Sequence, residues 1–353
     1  MSIVQEKDAL RKVVTLIKEW TSIESGEVDY NPMEKGFGID LIQSTGNWVF
    51  SVEYKSSGAT QMVIGAIENL HKNIGKIGEN VIPVVAVPFM GETGRRLCKE
   101  KKVSWLDLSG NADITASGLR IYVEGKPNKF KSVGRPKDIF APKSSRITRH
   151  LLIDPERYIT QRELTNEINL DEGLVSRVVR EMEKSGLLQR ESSAGGVRPK
   201  DPNILLDEWR EKYNFSKHRI IKGFVAERSS NLAVKNLVEG FKSNNVNYAL
   251  TGLSAAWLLS SFAAYRTASI YLSEEPSEEL LQKANFTKGE KGSNVWLVVP
   301  NDKGVFDGAF FQKDVRCVHP VQIYLDLKGH PERANEAAER LREEFLNWEK
   351  NAI

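Results

Sequence analysis

The chain is poor in cysteine, nearly balanced in charge and without a long apolar segment. Cys98 and Cys317 are its two cysteines, and they lie far apart in 353 residues. They form no metal-ligand pattern and suit structural thiols in a reducing cytoplasm. The net charge of +3 is too small to indicate nucleic-acid binding by itself. We see no internal repeat and no long low-complexity tract.

Membrane insertion and secretion are both disfavoured by the sequence. The longest uncharged run, residues 248–265, is about as long as a membrane span, but it contains Gly252 and four serines and threonines. It is typical of a strand, a turn and a buried helix. The N-terminal segment MSIVQEKDALRKVV carries charges where a signal peptide needs an apolar core. We therefore expect a cytoplasmic protein with no membrane partner.

Positive charge is concentrated in residues 125–150. One acid, Asp138, stands there against eight basic residues, which gives a net charge of +7. The basic residues are Lys126, Lys129, Lys131, Arg135, Lys137, Lys143, Arg146 and Arg149. Two explanations of this segment remain open. It is an arm that contacts phosphates, through Arg146 and Arg149 in particular, or it is a solvated linker.

Residues 158–200 have the pattern of a winged helix-turn-helix. Thr160 is a good helix N-cap, and Glu163 completes a capping box with it. A turn follows at residues 169–171, where Asp171 caps a second helix that runs to Lys184. Gly186 ends that helix, and LLQRESSAGGVRPK then supplies the two strands and the glycine tip of a wing.

The sequence of the second helix predicts one apolar face and one polar face. The inward residues are Leu174, Val175, Val178 and Met182. The residues facing solvent are Ser176, Arg177, Arg180 and Lys184. We expect this helix to enter the major groove of double-stranded DNA, with Arg190, Arg198 and Lys200 on phosphates. A winged helix that contacts only protein is the alternative. The sequence leaves the oligomeric state open, although a homodimer would suit paired half-sites.

The first 130 residues alternate helices with apolar strands, which indicates an α/β layer structure. The expected order is a helix at about 5–20, a strand near 27–31, a hairpin, a helix at about 60–75 and the strand VIPVVAVPF. A helix, the strand VSWLDL and a last hairpin follow. We divide the chain into residues 1–130, a basic linker with the winged helix at 131–213, and a further α/β domain at 214–353.

Candidate catalytic residues lie in GIDLIQSTGNWVFSVEYKSSG. On its second strand Glu53 and Lys55 share one face because side chains alternate along a strand. Asp40 lies on the preceding strand, with twelve residues between it and Glu53. Two strand carboxylates suit a divalent metal, which prefers oxygen ligands. Lys55 would orient the attacking water or help to deprotonate it.

Residues 1–125 resemble the PD-(D/E)XK nuclease-like fold, which includes restriction endonucleases and Holliday-junction resolvases. The resemblance implies Mg²⁺ or Mn²⁺ at Asp40 and Glu53, with Gln61 as a further polar residue of the site. Ile39 stands where many members have proline. Two alternatives remain: the same fold binding without cleavage, and an ion pair between Glu53 and Lys55 on a solvated sheet face.

The segment YALTGLSAAWLLSSFAAYRTASIYL resembles the start of the nucleotidyltransferase fold. Arg266 and Thr267 match that motif, but Ser269 and Tyr271 replace its two metal-binding aspartates. Glu274 and Glu275 lie beyond the strand positions that are needed, in the segment that follows. The resemblance therefore implies a degenerate, inactive version of the fold, and an unrelated buried helix is the alternative.

Three phrases resemble AbiEi-type proteins, the antitoxins and transcriptional regulators of type IV toxin–antitoxin systems: VSWLDLSGNADI, TGLSAAWLL and VHPVQIYLDLKGHPERANEAAERLREEF. The resemblance implies a DNA-binding repressor that neutralises a toxin protein. The sequence thus predicts a multidomain α/β protein with a restriction-endonuclease-like domain, a winged helix and a nucleotidyltransferase-like domain. Its function is that of a regulator, of a metal-dependent nuclease delivered by the winged helix, or of a toxin-binding module that does not cut DNA.

Overall fold

A computed structural model describes residues 3–23, 25–30, 39–78, 80–130, 138–192, 195–262 and 264–348. The chain forms two compact units, Met1–Pro136 and Lys137–Ile353. No helix in the described residues is both long and apolar enough to cross a membrane. Each unit is built on a seven-stranded mixed sheet, and the second also contains a two-stranded hairpin.

The described residues of the first unit form three α-helices and a sheet whose strands follow one another in chain order. Its elements are α1 (Ile3–Thr21), β1 (Ser25–Asp29), β2 (Leu41–Thr45), β3 (Trp48–Tyr54), α2 (Thr60–Asn73), β4 (Val81–Val87), α3 (Glu92–Glu100), β5 (Ser104–Asp107), β6 (Ala112–Ala116) and β7 (Leu119–Val123). The central strands β3, β4 and β5 are parallel to one another, and the outer pairs are antiparallel. The predicted order of helices and strands is confirmed, although residue 31 of the predicted first strand lies outside the described residues.

The alternation of side chains on β3 separates two cores. Phe50 and Val52 face α1 and pack in one cluster with Val13 and Ile17. The opposite face of the sheet packs against α2 and α3 in a second cluster that contains Leu70. Gly46 turns the chain between β2 and β3 with φ of 57°, a backbone conformation that glycine adopts without strain.

The second unit begins with a helical region and continues into the larger sheet. Its elements are α4 (Ser145–Ile153), α5 (Gln161–Ile168), α6 (Glu172–Lys184), β8 (Leu188–Arg190), β9 (Val197–Pro199), α7 (Pro202–Lys212), β10 (Arg219–Val225), α8 (Ser230–Ser243), β11 (Tyr248–Thr251), α9 (Gly252–Ser260), β12 (Ala268–Leu272), α10 (Glu278–Lys283), β13 (Phe286–Lys288), β14 (Val295–Val299), β15 (Phe310–Gln312), β16 (Val315–Cys317), α11 (Pro320–Asp326) and α12 (Ala334–Phe345). The sheet order is β13-β10-β14-β12-β11-β16-β15. The strand β11 is followed by a glycine turn and the helix α9, as the sequence predicts.

A chain of buried polar groups joins α4 to the sheet domain. Arg149 on α4 is 3% exposed, and its Nη2 donates to Gln322 Oε1 on α11 at 2.6 Å. Gln322 Nε2 donates in turn to Asp326 Oδ1 at 2.7 Å. Asp326 is fully buried and accepts further hydrogen bonds from the hydroxyl groups of Tyr213 and Thr251. Burial raises the pKa of Asp326 to about 6. The helical region and the sheet domain therefore share one interior.

We expect Gln322→Met to destabilise the protein more than Arg149→Met does. The first change leaves a buried guanidinium without its acceptor, which costs about 3 kcal/mol, whereas the second removes the charge together with its desolvation cost. Urea unfolding of both variants measures the difference. Arg340→Met, at an exposed position of α12, is the control and should stay within about 0.5 kcal/mol of the parent chain. Equal destabilisation by the changes at positions 322 and 149 would contradict this account.

Candidate nucleic-acid interface

The first helix of the helix-turn-helix, α5, is fixed by the capping box that the sequence predicts. Thr160 Oγ1 accepts from the Glu163 backbone N–H at 3.2 Å, and Glu163 Oε2 accepts from the Thr160 N–H at 2.8 Å. The helix ends at Asn169, whose φ of 48° is left-handed. Asp171 Oδ1 then accepts from the Leu174 N–H at 3.0 Å and starts α6. Local sequence therefore sets the turn between the two helices.

The second helix, α6, presents a basic surface above an apolar one. Its buried residues are Val175, Val178, Val179 and Met182. Leu174, expected to face inward, is only half-buried because it lies in the first turn, and Val179 takes an inward place instead. Ser176 is half-buried. Arg177, Arg180 and Lys184 are exposed. These three cations lie along one helix and can face a nucleic acid.

Two of the wing cations are engaged within the protein. Arg190 on β8 donates through Nε and Nη2 to the two carboxylate oxygens of Glu183, both at 2.8 Å, and through Nη1 to the Gly195 carbonyl at 2.6 Å. This bidentate pair ties the wing to α6. Arg198 donates to Glu156 at 2.7 Å, and its guanidinium lies 4.6 Å from the centre of the Tyr158 ring.

The wing also contains Lys200 and the residues of its tip. Lys200 is exposed at the base of the wing. Residues 193 and 194, which belong to the predicted wing tip, lie outside the described residues.

The two arginines of α4 do not fit the phosphate contacts expected of them. Arg149 points into the interior. Arg146 donates to both oxygens of Asp302, at 2.7 and 2.9 Å, and is largely covered. Both arginines therefore use their charge in contacts with the sheet domain. Residues 131–137 of the basic segment lie outside the described residues.

The four predicted catalytic residues lie around the start of β2, the end of β3 and the start of α2. Glu53 is 3% exposed; its Oε1 accepts from Lys55 Nζ at 2.6 Å, and its Oε2 accepts from Asn69 Nδ2 at 2.9 Å. Asp40, which immediately precedes β2, accepts through Oδ2 from the Tyr54 N–H at 2.8 Å. Gln61 is half-buried on α2. The pair of Glu53 and Lys55 is therefore mostly buried beneath α2 rather than on a solvated sheet face.

Asn69 was missed in the sequence because it comes from the next helix. The signal is a polar pair, Asn69 and Asn73, four residues apart on the half-buried side of α2. Asn73 Nδ2 donates to Asn69 Oδ1 at 2.9 Å, which orients the Asn69 amide toward Glu53.

Burial and then repulsion from Glu53 raise the pKa of Asp40 to about 6, partly offset by the Tyr54 N–H and by Lys55. Two neighbouring carboxylates and a lysine supply the oxygen donors that Mg²⁺ prefers. Both Glu53 oxygens are already hydrogen-bonded, so a cation would share or replace those contacts. Within the described part of the chain, no group of three or more His, Cys, Asp or Glu side chains could hold a metal ion. The donor set thus fits a hard cation only in part.

Ser269 and Tyr271, the two positions that the sequence analysis compares with the aspartates of nucleotidyltransferases, lie on β12 of the second unit. Ser269 is buried with its Oγ 3.2 Å from His330 Nε2, and Tyr271 is fully buried. Glu274 and Glu275 form exposed ion pairs with Lys303 and Arg219. No carboxylate therefore stands at these strand positions.

Two family models match the second unit. Residues 198–347 match a model described as transcriptional regulator, AbiEi antitoxin, type IV TA system. Residues 145–198 match the MarR family. The C-terminal domain is AbiEi-like, and the helical region is a MarR-like winged helix. Two of the three sequence segments that resemble AbiEi-type proteins lie inside residues 198–347, and VSWLDLSGNADI lies outside them. No curated protein and no solved structure matches the chain.

We expect Asp40→Asn to stabilise the protein at about pH 7.5, by about 1–3 kcal/mol. The pKa of Asp40 is about 6 in the folded chain, against an ordinary value of 3.8, so folding favours the protonated form. Stability that the wild type has at low pH is therefore lost as the pH rises from 3.8 to about 6. The gain in the variant should vanish near pH 4. Thermal unfolding in EDTA across this pH range measures it, and a gain that is independent of pH would contradict the assignment.

Proposed function

We propose that the protein is a DNA-binding transcriptional regulator of the AbiEi antitoxin type, which docks on duplex DNA by placing α6 in the major groove. A cognate toxin is the protein partner that the family description implies. The observation that carries the proposal is the exposed row of Arg177, Arg180 and Lys184 on a capped helix within a MarR-like winged helix.

The contacts around α6 support this role. The N-cap at Asp171 and the four buried residues beneath fix the helix axis, so the three cations are held in one direction. The Arg190–Glu183 pair sets the wing beside the same helix. A groove-reading helix needs this kind of rigid support because base contacts depend on register. Arg198 and Lys200 are left as phosphate contacts at the edge, with Arg198 shared between Glu156 and DNA.

We expect Arg177→Ala and Arg180→Ala to weaken duplex binding about tenfold each. Each should also lower the slope of log affinity against log salt by about 0.9 for every phosphate that the variant no longer neutralises. Fluorescence anisotropy over a salt series measures both quantities on a duplex selected from random sequence. Arg228→Ala, an exposed arginine of the AbiEi-like domain, is the matched control. A chain that selects no sequence, or variants that bind like the control, would contradict the proposal.

Metal-dependent DNA cleavage is a second candidate function, favoured by the hydrogen bond of Asp40 with the strand that carries Glu53 and leads into Lys55. Asp40 and Glu53 would hold Mg²⁺ or Mn²⁺. Such an ion stabilises charge on a phosphate and lowers the pKa of bound water. Asn69 and Lys55 keep Glu53 in place, and Gln61 lies at the start of the helix above it. The winged helix would bring DNA to the protein in either case.

Cleavage, if it is the function, should require the metal and should fall at least about a hundredfold in Glu53→Ala and about tenfold in Asn69→Ala, which only positions Glu53. The assay uses duplex, branched and single-stranded DNA with each metal. Glu68→Ala, exposed beside Asn69 on α2, is the control. Activity that survives both Asp40→Ala and Glu53→Ala, or no activity with either metal, would remove this function and leave the regulator intact.

A further inference from the structure

A groove of about 610 Å³ opens at one edge of the sheet in the first unit. It lies where the parallel strands β3, β4 and β5 end, and it is lined by α1, by the segments that follow these strands and by residues 128 and 130. The carboxyl ends of parallel strands are where open α/β sheets bind ligands. The volume is within the usual range for small-molecule sites, about 300–1,000 Å³.

The far rim of the groove is fixed by side-chain contacts to the backbone. Asn111 accepts from the Lys126 N–H at 2.8 Å and donates to the Lys126 carbonyl at 3.1 Å. Ser109 Oγ accepts from the Lys129 N–H at 3.3 Å. These contacts hold the segment after β7 so that Phe130, which is 44% exposed, borders the groove.

The near rim requires glycine. A Cβ atom on Gly58 would lie 2.1 Å from the Phe89 carbonyl oxygen, so any other residue would push apart the segments after β3 and β4. Ser57 Oγ accepts from the Ala59 N–H at 3.2 Å and shapes the same loop. This close approach holds the Phe89 backbone against the loop that contains Ser57 and Gly58. The near rim of the groove therefore has a fixed position.

The lining combines aromatic rings with one cation. Tyr54, Phe89 and Phe130 line the groove, and Lys12 Nζ on α1 lies 5.4 Å from the centre of the Phe130 ring. One acid, Asp8, also lines the groove, and its carboxylate lies 3.5 Å from Arg11, which partly compensates its charge. Aromatic faces beside a lysine are the combination that binds a base by stacking and a phosphate by charge.

We propose that this groove binds a nucleotide, with its base on Phe130 and its phosphate at Lys12. The source is a free nucleoside monophosphate or one nucleotide of a single DNA strand. The groove lies on the α1 side of the sheet, whereas Glu53 faces Asn69 on the α2 side. The groove borders the candidate cleavage residues, because Tyr54, which lines it, donates its N–H to Asp40. It belongs to the first unit, whereas the winged helix belongs to the second. Binding of a nucleotide goes beyond both functions proposed above.

Titration calorimetry of the full chain with thymidine, thymidine monophosphate and a short oligothymidylate tests the site. Phe130→Leu should weaken binding of all three about tenfold, because leucine has no aromatic face on which a base can stack. Lys12→Ala should reduce the affinity for the monophosphate to that for the nucleoside. Lys7→Ala on α1 and Tyr122→Leu on β7 are the matched controls, both exposed in the same unit.

The outcomes separate the two sources and the competing functions. Binding of the oligonucleotide that is tighter than binding of the monophosphate, and about tenfold weaker in Phe130→Leu, supports a DNA strand. Equal binding of the two supports a free nucleotide. Weaker nucleotide binding in Phe130→Leu with unchanged duplex binding shows that the groove acts apart from α6. Failure of the parent chain to bind any of the three probes would overturn the proposal, as would binding that ignores both substitutions.

Discussion

The buried guanidinium of Arg149 is the group on which the arrangement of the second unit depends. A charge in the interior costs several kcal/mol unless it is hydrogen-bonded. Arg149 has one such bond, to Gln322, and lies 5.1 Å from the centre of the Trp209 ring. Arg146, one turn earlier on α4, binds Asp302 of the AbiEi-like domain. Since α4 also packs against α5, these contacts fix the direction in which the helix-turn-helix faces.

The same division between structural and exposed charges occurs in α6 and the wing. A count of basic residues along the sequence does not distinguish the two groups. Arg190 is held by Glu183, which neutralises it and fixes the wing. Arg177, Arg180 and Lys184 stay exposed. In the proposed complex with DNA, long-range attraction to phosphate would be centred on α6, and the wing would act mainly as a support for that helix.

Local signals predicted local structure well, and contacts between distant residues escaped them. The caps at Thr160 and Asp171 are decided within a few residues, and the faces of β3 follow from alternation. The burial of Arg149 depends on Gln322, 173 positions away. A local count of basic residues cannot distinguish such an arginine from one on the surface. Asn69 was missed for the same reason, since only the fold brings α2 over Glu53.

The carboxylate of Asp40 is better explained by function than by stability. Its raised pKa means that the folded chain holds the ionised form at a cost. Among the described residues, Asp40 accepts the Tyr54 N–H, and the amide oxygen of asparagine would accept that hydrogen bond equally well. An ion pair would be expected to lower the pKa, but here repulsion from Glu53 outweighs the attraction to Lys55. An unfavourable charge beside a second carboxylate is the state that a cation or a basic ligand would relieve, which agrees with the cation proposed at Asp40 and Glu53.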